Sequence, residues 1–322
     1  MSPSQRIASV SLDLDNLWSY LKIHGDEGWA QRPSYLGTFV PYVLALLERL
    51  DLKITFFVVG ADAAAPENRD ALRAIVAAGH EIGNHSYEHE PWLHTYTPQQ
   101  LDDEIRRTDD AIHEACGVRP VGFRGPGFSW CPALLEVLAA RGHRFDASTL
   151  PTFLGPIARA YYFRTAKLSA EERELRAGLF GAFSDGLRPN RPYRWSLPGG
   201  GRLLEIPVTT IPGVRTPFHF SYLAWLATWS QPLMALYLNI AIAGCRATGT
   251  QPSFLLHPLD MIGGDQLPEL AFFPGMDVPS ARKVALLERV VGRLRREWTL
   301  VPMGEHARRL EADPRLPVRQ PA

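Results

Sequence analysis

The stretch Gly79-His80-Glu81-Ile82-Gly83-Asn84-His85-Ser86-Tyr87-Glu88-His89 decides how this chain is read. A short apolar run leads into two histidines four positions apart. If the residues between them make a helical turn, the two side chains lie one above the other. Their imidazoles can then converge on one metal ion, and Zn²⁺ accepts nitrogen at about 2.0–2.1 Å. Taken alone, His85 and His89 would serve equally well as a surface pair. The weight comes from other expected strands, whose ends carry Asp13 and Asp15, Arg124, Asp146 and His257.

Working outward, Arg6 to Asp15 reads as a strand, with Ile7, Val10, Leu12 and Leu14 among β-branched neighbours. Strand side chains alternate faces, so Asp13 and Asp15 share one face and Leu14 takes the other. Two like charges side by side are costly unless something positive lies near them. A cation site accounts for them better than a solvated strand end. Ser34 to Leu50 has helical periodicity. The run Ile54-Thr55-Phe56-Phe57-Val58-Val59 is apolar on both faces, as strands of a covered parallel sheet are. Helices are expected over Asn68–Ala78, from Pro98 to about Cys116, and over Pro132–Arg141. Short strands are expected over Pro120–Arg124 and His143–Ser148. Strand and helix in alternation predict an α/β fold with a parallel sheet, and in barrels of this kind chemistry sits at the C-terminal strand ends.

From Leu150 to Arg202 the rhythm breaks, and Ser169–Leu179 reads as one exposed charged helix. The expectation is a single domain over 1–322, with this stretch inserted over the barrel mouth. Alternation resumes with Leu203–Thr209, then a helical region, then the strand Ser253-Phe254-Leu255-Leu256 that delivers His257. Ser280–Arg296 is an amphipathic helix, and Trp298–Pro302 a last short strand. Between Pro217 and Cys245 there is no Asp, Glu, Lys or Arg, while Trp225, Trp229, Leu233, Leu236, Tyr237 and Ile240 accumulate. Pro232 and scattered polar residues interrupt the stretch, which favours two short helices meeting near Pro232 over a membrane span. Burial of that pair in the barrel is one expectation. Peripheral contact with a membrane or a lipid-linked substrate is the other.

Lys plus Arg and Asp plus Glu number 34 each, so no net field steers the chain toward nucleic acid. Cys116, Cys131 and Cys245 are scattered, which argues against a disulfide framework and fits a reducing compartment. No basic segment followed by an apolar run opens the sequence, so the expected location is cytoplasmic, at most peripheral to a membrane.

Together these stretches resemble the polysaccharide deacetylase family, the NodB-homology carbohydrate esterases of family four. The resemblance runs from about Ile7 to Pro302 and rests on five motifs in the family's order: Asp13-Leu14-Asp15, His85-Ser86-Tyr87-Glu88-His89, Arg124-Gly125-Pro126, Phe145-Asp146-Ala147-Ser148 and Leu256-His257-Pro258. It implies a distorted (β/α)₇ barrel. It also implies one divalent metal, Zn²⁺ first and Co²⁺, Ni²⁺ or Mn²⁺ as alternatives, held by His85, His89 and one aspartate. Asp15 is taken as the ligand and Asp13 as the base, with exchange between them left open. Arg124 would orient the base, and His257 would be the general acid, kept protonated by a carboxylate such as Asp146. The first motif departs from the usual adjacent aspartates. It is similar to the branch that contains a lipid-linked aminoarabinose deformylase and allantoinase- and imidase-like members. Gly127 stands where the family has Tyr, and the usual fourth-motif Trp is absent.

The residues themselves allow the same chemistry. A metal with an open position lowers the pKa of bound water toward about 7 and polarises a carbonyl. A carboxylate base and an imidazole acid complete amide hydrolysis. Substrate contacts are expected from the Gly127 backbone N–H and from Trp130, with Trp18, Trp92 and Trp195 as further aromatics at the mouth. The expected function is removal of an acetyl or formyl group from an amino sugar, glycan or lipid-linked sugar. Hydrolysis of a non-sugar C–N bond in a cyclic imide or ureide, and a silent carbohydrate-binding barrel, are the alternatives.

Overall fold

Strand β1 (Ile7–Asp13) is buried along its whole length and is the axis of the molecule. It pairs in parallel with β2 (Thr55–Val58) on one side and with β8 (Ser253–Leu256) on the other. From β2 the parallel ladder continues through β3 (Glu81–Asn84), β4 (Gly122–Phe123) and β5 (Phe145–Asp146) to β7 (Arg202–Glu205). The chain order of these elements, strand then helix, is the one the sequence predicts. The structure, a computed structural model, describes residues 6–165, 173 and 181–321.

Strands β7 and β8 do not form a regular ladder with each other. The chain beyond β7 reaches β8 instead: the Thr209 N–H donates to the Ser253 carbonyl at 3.1 Å, and the Ser253 N–H donates to Thr209 Oγ1 at 2.8 Å. This seam links the chain after the sixth parallel strand to the seventh, which itself pairs with the first, while the ladder between β7 and β8 stays open. On its other edge β7 carries β6 (Tyr193–Ser196), which runs antiparallel. Two C-terminal strands were not all foreseen. The expected Trp298–Pro302 strand is β9 (Thr299–Val301), alongside the start of β1, while β10 (Val318–Arg319) pairs with β6 without any signal in the sequence reading.

Helix ends follow local chemistry. The helix Pro98–Cys116 opens on a Thr97–Gln100 capping box with Pro98 in its first turn, and ends on Gly117 at φ 76°. The uncharged stretch forms two helices, Phe220–Trp229 and Gln231–Thr248, with Pro232 in the first turn of the second, as expected.

The expected insertion differs from the structure at its C-terminal end. Tyr193 and Trp195 of β6 are buried with Leu134, Leu135 and Leu138 of the helix Pro132–Ala140. That part belongs to the sheet and its core, not to a cover over the mouth. Before it come the helix Gly155–Thr165 and a 3-10 turn at Phe183–Leu187. The charged helix expected over Ser169–Leu179 falls, apart from Arg173, outside the described residues.

Candidate metal centre and active site

The two histidines do not sit on a helical turn. Ser86 and His89 both adopt left-handed backbone, at φ 59° and 53°, so the segment is an irregular loop. Its shape is imposed from outside. Glu104, buried on the helix Pro98–Cys116, accepts the Tyr87 and Glu88 N–H groups on one carboxylate oxygen at 2.7 and 3.1 Å. The Asn84 side chain accepts the Ser86 N–H, and the Gly60 and Ala61 N–H groups donate to the Ser86 and Tyr87 carbonyls. With these backbone groups paired this way, the loop has no need of helical hydrogen bonds.

Three ligand atoms of Asp15, His85 and His89, all buried, lie within 4.8 Å of one another. His89 Nε2 is 2.9 Å and His85 Nε2 3.5 Å from Asp15 Oδ1. That oxygen is buried and makes no well-formed hydrogen bond. Three donors aimed at one point without bonding to each other fit a divalent cation. The other nitrogen of His85, Nδ1, is 2.7 Å from the Arg124 carbonyl oxygen. Donation there leaves the Nε2 lone pair free for a metal. Burial would raise the Asp15 carboxyl, but the adjacent His89 and His85 imidazoles outweigh it and hold it far below the usual range.

Asp13 takes a different partner. Its Oδ1 accepts from Arg124 Nη1 at 2.8 Å, and the same nitrogen donates to Ser11 Oγ at 2.9 Å. Arg124 is fully buried, and its Nε donates to the Ala147 carbonyl. On the far side, His257 Nε2 stands 4.0 Å from Asp13 Oδ2. Asp15 therefore lies beside the imidazoles and Asp13 beside Arg124 and His257.

The carboxylate at His257 is not Asp146 but Asp260, three residues along in His257-Pro258-Leu259-Asp260. Its Oδ2 accepts the His257 backbone N–H at 2.7 Å and lies 3.8 Å from the ring Nδ1. Burial pulls the imidazole pKa down, but Asp260, then Asp13 and Asp15, push it up to about 9. Asp146 faces Glu205 instead. Burial raises the pKa of both carboxyls, and the neighbouring Asp146 charge raises that of Glu205 further. Ser148 donates to Asp146 and accepts the Gly125 N–H at 2.8 Å. Asp146 thus supports the Arg124 loop from behind. A Cβ on Gly125 would meet the Ser129 carbonyl at 2.0 Å, which requires glycine there.

Gly127 is exposed, at φ 58° in the left-handed region that favours glycine. Trp130 packs against Trp195 and lies under the Arg188 guanidinium, 4.4 Å away. Trp195 and Trp18 are both buried, donating to Glu205 and Asp62 respectively. Trp18 and Trp195 are therefore core residues, not mouth aromatics. Sequence reasoning missed Asp260, Glu104 and Glu205. Asp260 sits at a visible i+3 spacing from His257, and Glu205 lies in the expected Leu203–Thr209 strand; for Glu104 no local signal exists.

Residues 23–145 match the family model described as polysaccharide deacetylase. That segment holds His85, His89 and Arg124, while Asp13, Asp15, Asp146 and His257 lie outside it. The chain is 35% identical over 118 residues to a chitin deacetylase of Colletotrichum lindemuthianum, covering 36% of this chain and 47% of the relative. It is 26% identical over 162 residues to a peptidoglycan deacetylase of Helicobacter pylori, covering 49% and 53%. The match thus spans about half of the length of these curated relatives. Among solved structures, a Mycobacterium smegmatis protein assigned to the polysaccharide deacetylases superposes with a TM-score of 0.59 at 20% identity, covering 99% of this chain and 96% of the other. The PuuE allantoinase superposes at 0.55 and 17% identity, covering 96% and 90%. These two likenesses concern the fold and agree with the expected barrel.

Proposed function

We propose, from the premise that residues 23–145 belong to the polysaccharide deacetylase family, that the protein is a zinc-dependent hydrolase removing an N-acyl group from an amino sugar. The observation that carries this reading is the adjacency of two pairs. Asp15 with His85 and His89 forms a metal cradle, and Asp13, clamped by Arg124, lies 4.0 Å from His257. A carbohydrate binder needs neither a base nor an acid.

Two nitrogens and one carboxylate oxygen are a zinc set with room for a water. A cation held there supplies Lewis acidity toward the amide carbonyl and acidifies a water. Asp13, kept ionised and oriented by Arg124, accepts the proton of the attacking water. The water oxygen bonds to the carbonyl carbon and the C–N bond breaks. His257, partly open to solvent, gives its proton to the departing nitrogen, so that a carboxylic acid and an amine result. Asp260 keeps that imidazole charged.

Among amino sugars, the apolar helices that start beside His257 favour a substrate presented at a lipid surface over a freely diffusing one. The test is chelator-treated protein, reloaded with Zn²⁺, Co²⁺, Ni²⁺ or Mn²⁺, against N-acetyl and N-formyl amino sugars, chitooligosaccharides, allantoin and cyclic imides. Metal-restored acetate or formate release from a sugar is expected. Turnover only of the ureide or imide would overturn the sugar assignment, and full activity after chelation would overturn the metal.

A further inference from the structure

The helices Phe220–Trp229 and Gln231–Thr248 turn an apolar face outward. Trp225 is 57% and Trp229 76% exposed, and they are ring neighbours at 6.1 Å on one face of the first helix. Leu233, Leu236 and Ile240, at i, i+3 and i+7, form an exposed stripe on the second. That helix is already anchored by its opposite side, where Met234, Leu238, Ala241 and Cys245 are buried. It therefore has two apolar faces, and only one serves the core. Contiguous exposed apolar surface of this sort marks an interaction site.

We propose that this face is a peripheral docking surface for an anionic phospholipid bilayer. Charge selects the occupant. No Asp, Glu, Lys or Arg lies between Pro217 and Cys245, and no helix among the described residues is long and apolar enough to cross a membrane. Arginines edge the face. Arg289 donates to Gln231 and Arg293 to Asn239, while Glu297 is shared between Arg293 and Arg246, the latter at the end of the second helix. Three arginines against one glutamate leave this edge positive in a chain whose total charge is zero. Exposed Trp and Leu beside Arg is the composition of a surface that lies in the headgroup region of an anionic membrane. A second copy of the chain would bring arginine-edged faces together, and like charges oppose that.

The surface abuts the candidate active site. Ser221 Oγ, in the first turn, is 3.4 Å from His257 Nδ1, and Trp229 lies eight residues further, about 12 Å along the helix. Docking would bring the mouth near the headgroup plane. This inference concerns the surface alone and does not rest on the proposed reaction.

Co-sedimentation of the full chain with vesicles of phosphatidylcholine, with and without phosphatidylglycerol, tests it without any turnover. The chain should bind the anionic vesicles more tightly. Trp225→Ser/Trp229→Ser/Leu236→Ser should weaken binding by about tenfold or more, and Arg289→Gln/Arg293→Gln should remove the preference for phosphatidylglycerol. Should the triple variant not fold, tryptophan fluorescence in brominated-lipid vesicles replaces it: quenching of the wild type should drop in Trp229→Phe. Absence of vesicle binding, equal binding by the triple variant, or indifference to phosphatidylglycerol overturns the proposal. So does a sedimentation-velocity dimer that the triple substitution dissolves while vesicle binding persists.

Discussion

Asp13 and Asp15 are two residues apart on one strand face, yet their surroundings separate them. One carboxylate has a guanidinium and an imidazole beside it, the other two imidazoles. Asp13→Asn keeps the shape of the Arg124 contact and removes the base, so activity should fall by roughly 10²–10⁴-fold. Metal content, read by elemental analysis, should stay. His85→Ala/His89→Ala should lose the metal and remain folded; if it retains the ion, the cradle is misassigned. The His257 pair gives a second expectation. A raised imidazole pKa means the charged form persists to higher pH, so the alkaline limb of the rate profile should fall near pH 9. Asp260→Asn takes away the largest raising influence, and the limb should move to lower pH. An unmoved limb would show that Asp260 does not hold the proton on His257.

At the scale of elements, the histidine loop owes its form to Glu104 on the helix Pro98–Cys116. One carboxylate oxygen there receives two backbone donors. Glu104→Ala would leave both without a partner and free the loop that bears His89. Loss of such supporting contacts typically weakens metal binding by about 10–100-fold. Competition titration with a chelating dye should show that loss, and Glu104→Gln, which keeps a side-chain carbonyl, should recover most of it. Equal affinity in wild type and Glu104→Ala would mean that the loop is held by Gly60, Ala61 and Asn84 alone.

For the whole molecule, stability should fall away from neutrality on both sides, through different groups. Burial holds His80 down to about 4 and His306 down to about 3, both neutral in the fold. The unfolded chain takes up those protons below its ordinary histidine pKa near 6.5. Stability is therefore lost as pH falls from there toward 4, by roughly 1.4 kcal/mol per pH unit for each such histidine. Glu205 acts in the opposite direction. Its carboxyl is raised well above the usual range, by burial first and Asp146 second, so the stability it contributes at low pH is lost as pH rises. Glu205→Gln, whose single side-chain oxygen can still accept from Thr149 while its amide cannot accept the Trp195 N–H, should lessen the alkaline loss at some cost in stability overall. Denaturant midpoints measured from pH 4 to 9 check both limbs; a flat profile in the wild type would contradict them.

The sequence alone determined the alternation of strand and helix, the caps and breaks of the helices, and the strand ends on which the chemistry would gather. These depend on periodicity of two or 3.6 and on turn residues, which act over a few neighbours. The order of strands and helices was legible for that reason, and Asp13, Asp15, His85, His89, Arg124 and His257, all named from the sequence, are the residues that the structure brings together. Tertiary structure decided what depends on distant partners. Glu104, from another helix, made the His85–His89 segment a loop and not a helical turn. Asp260 took the place at His257 expected of Asp146, because Glu205 from the next strand occupies Asp146. The uncharged helices could be read from composition, but not which of their faces meets solvent. An apolar side chain has the same local preferences on either face, and only the position of the sheet tells it which side is the core.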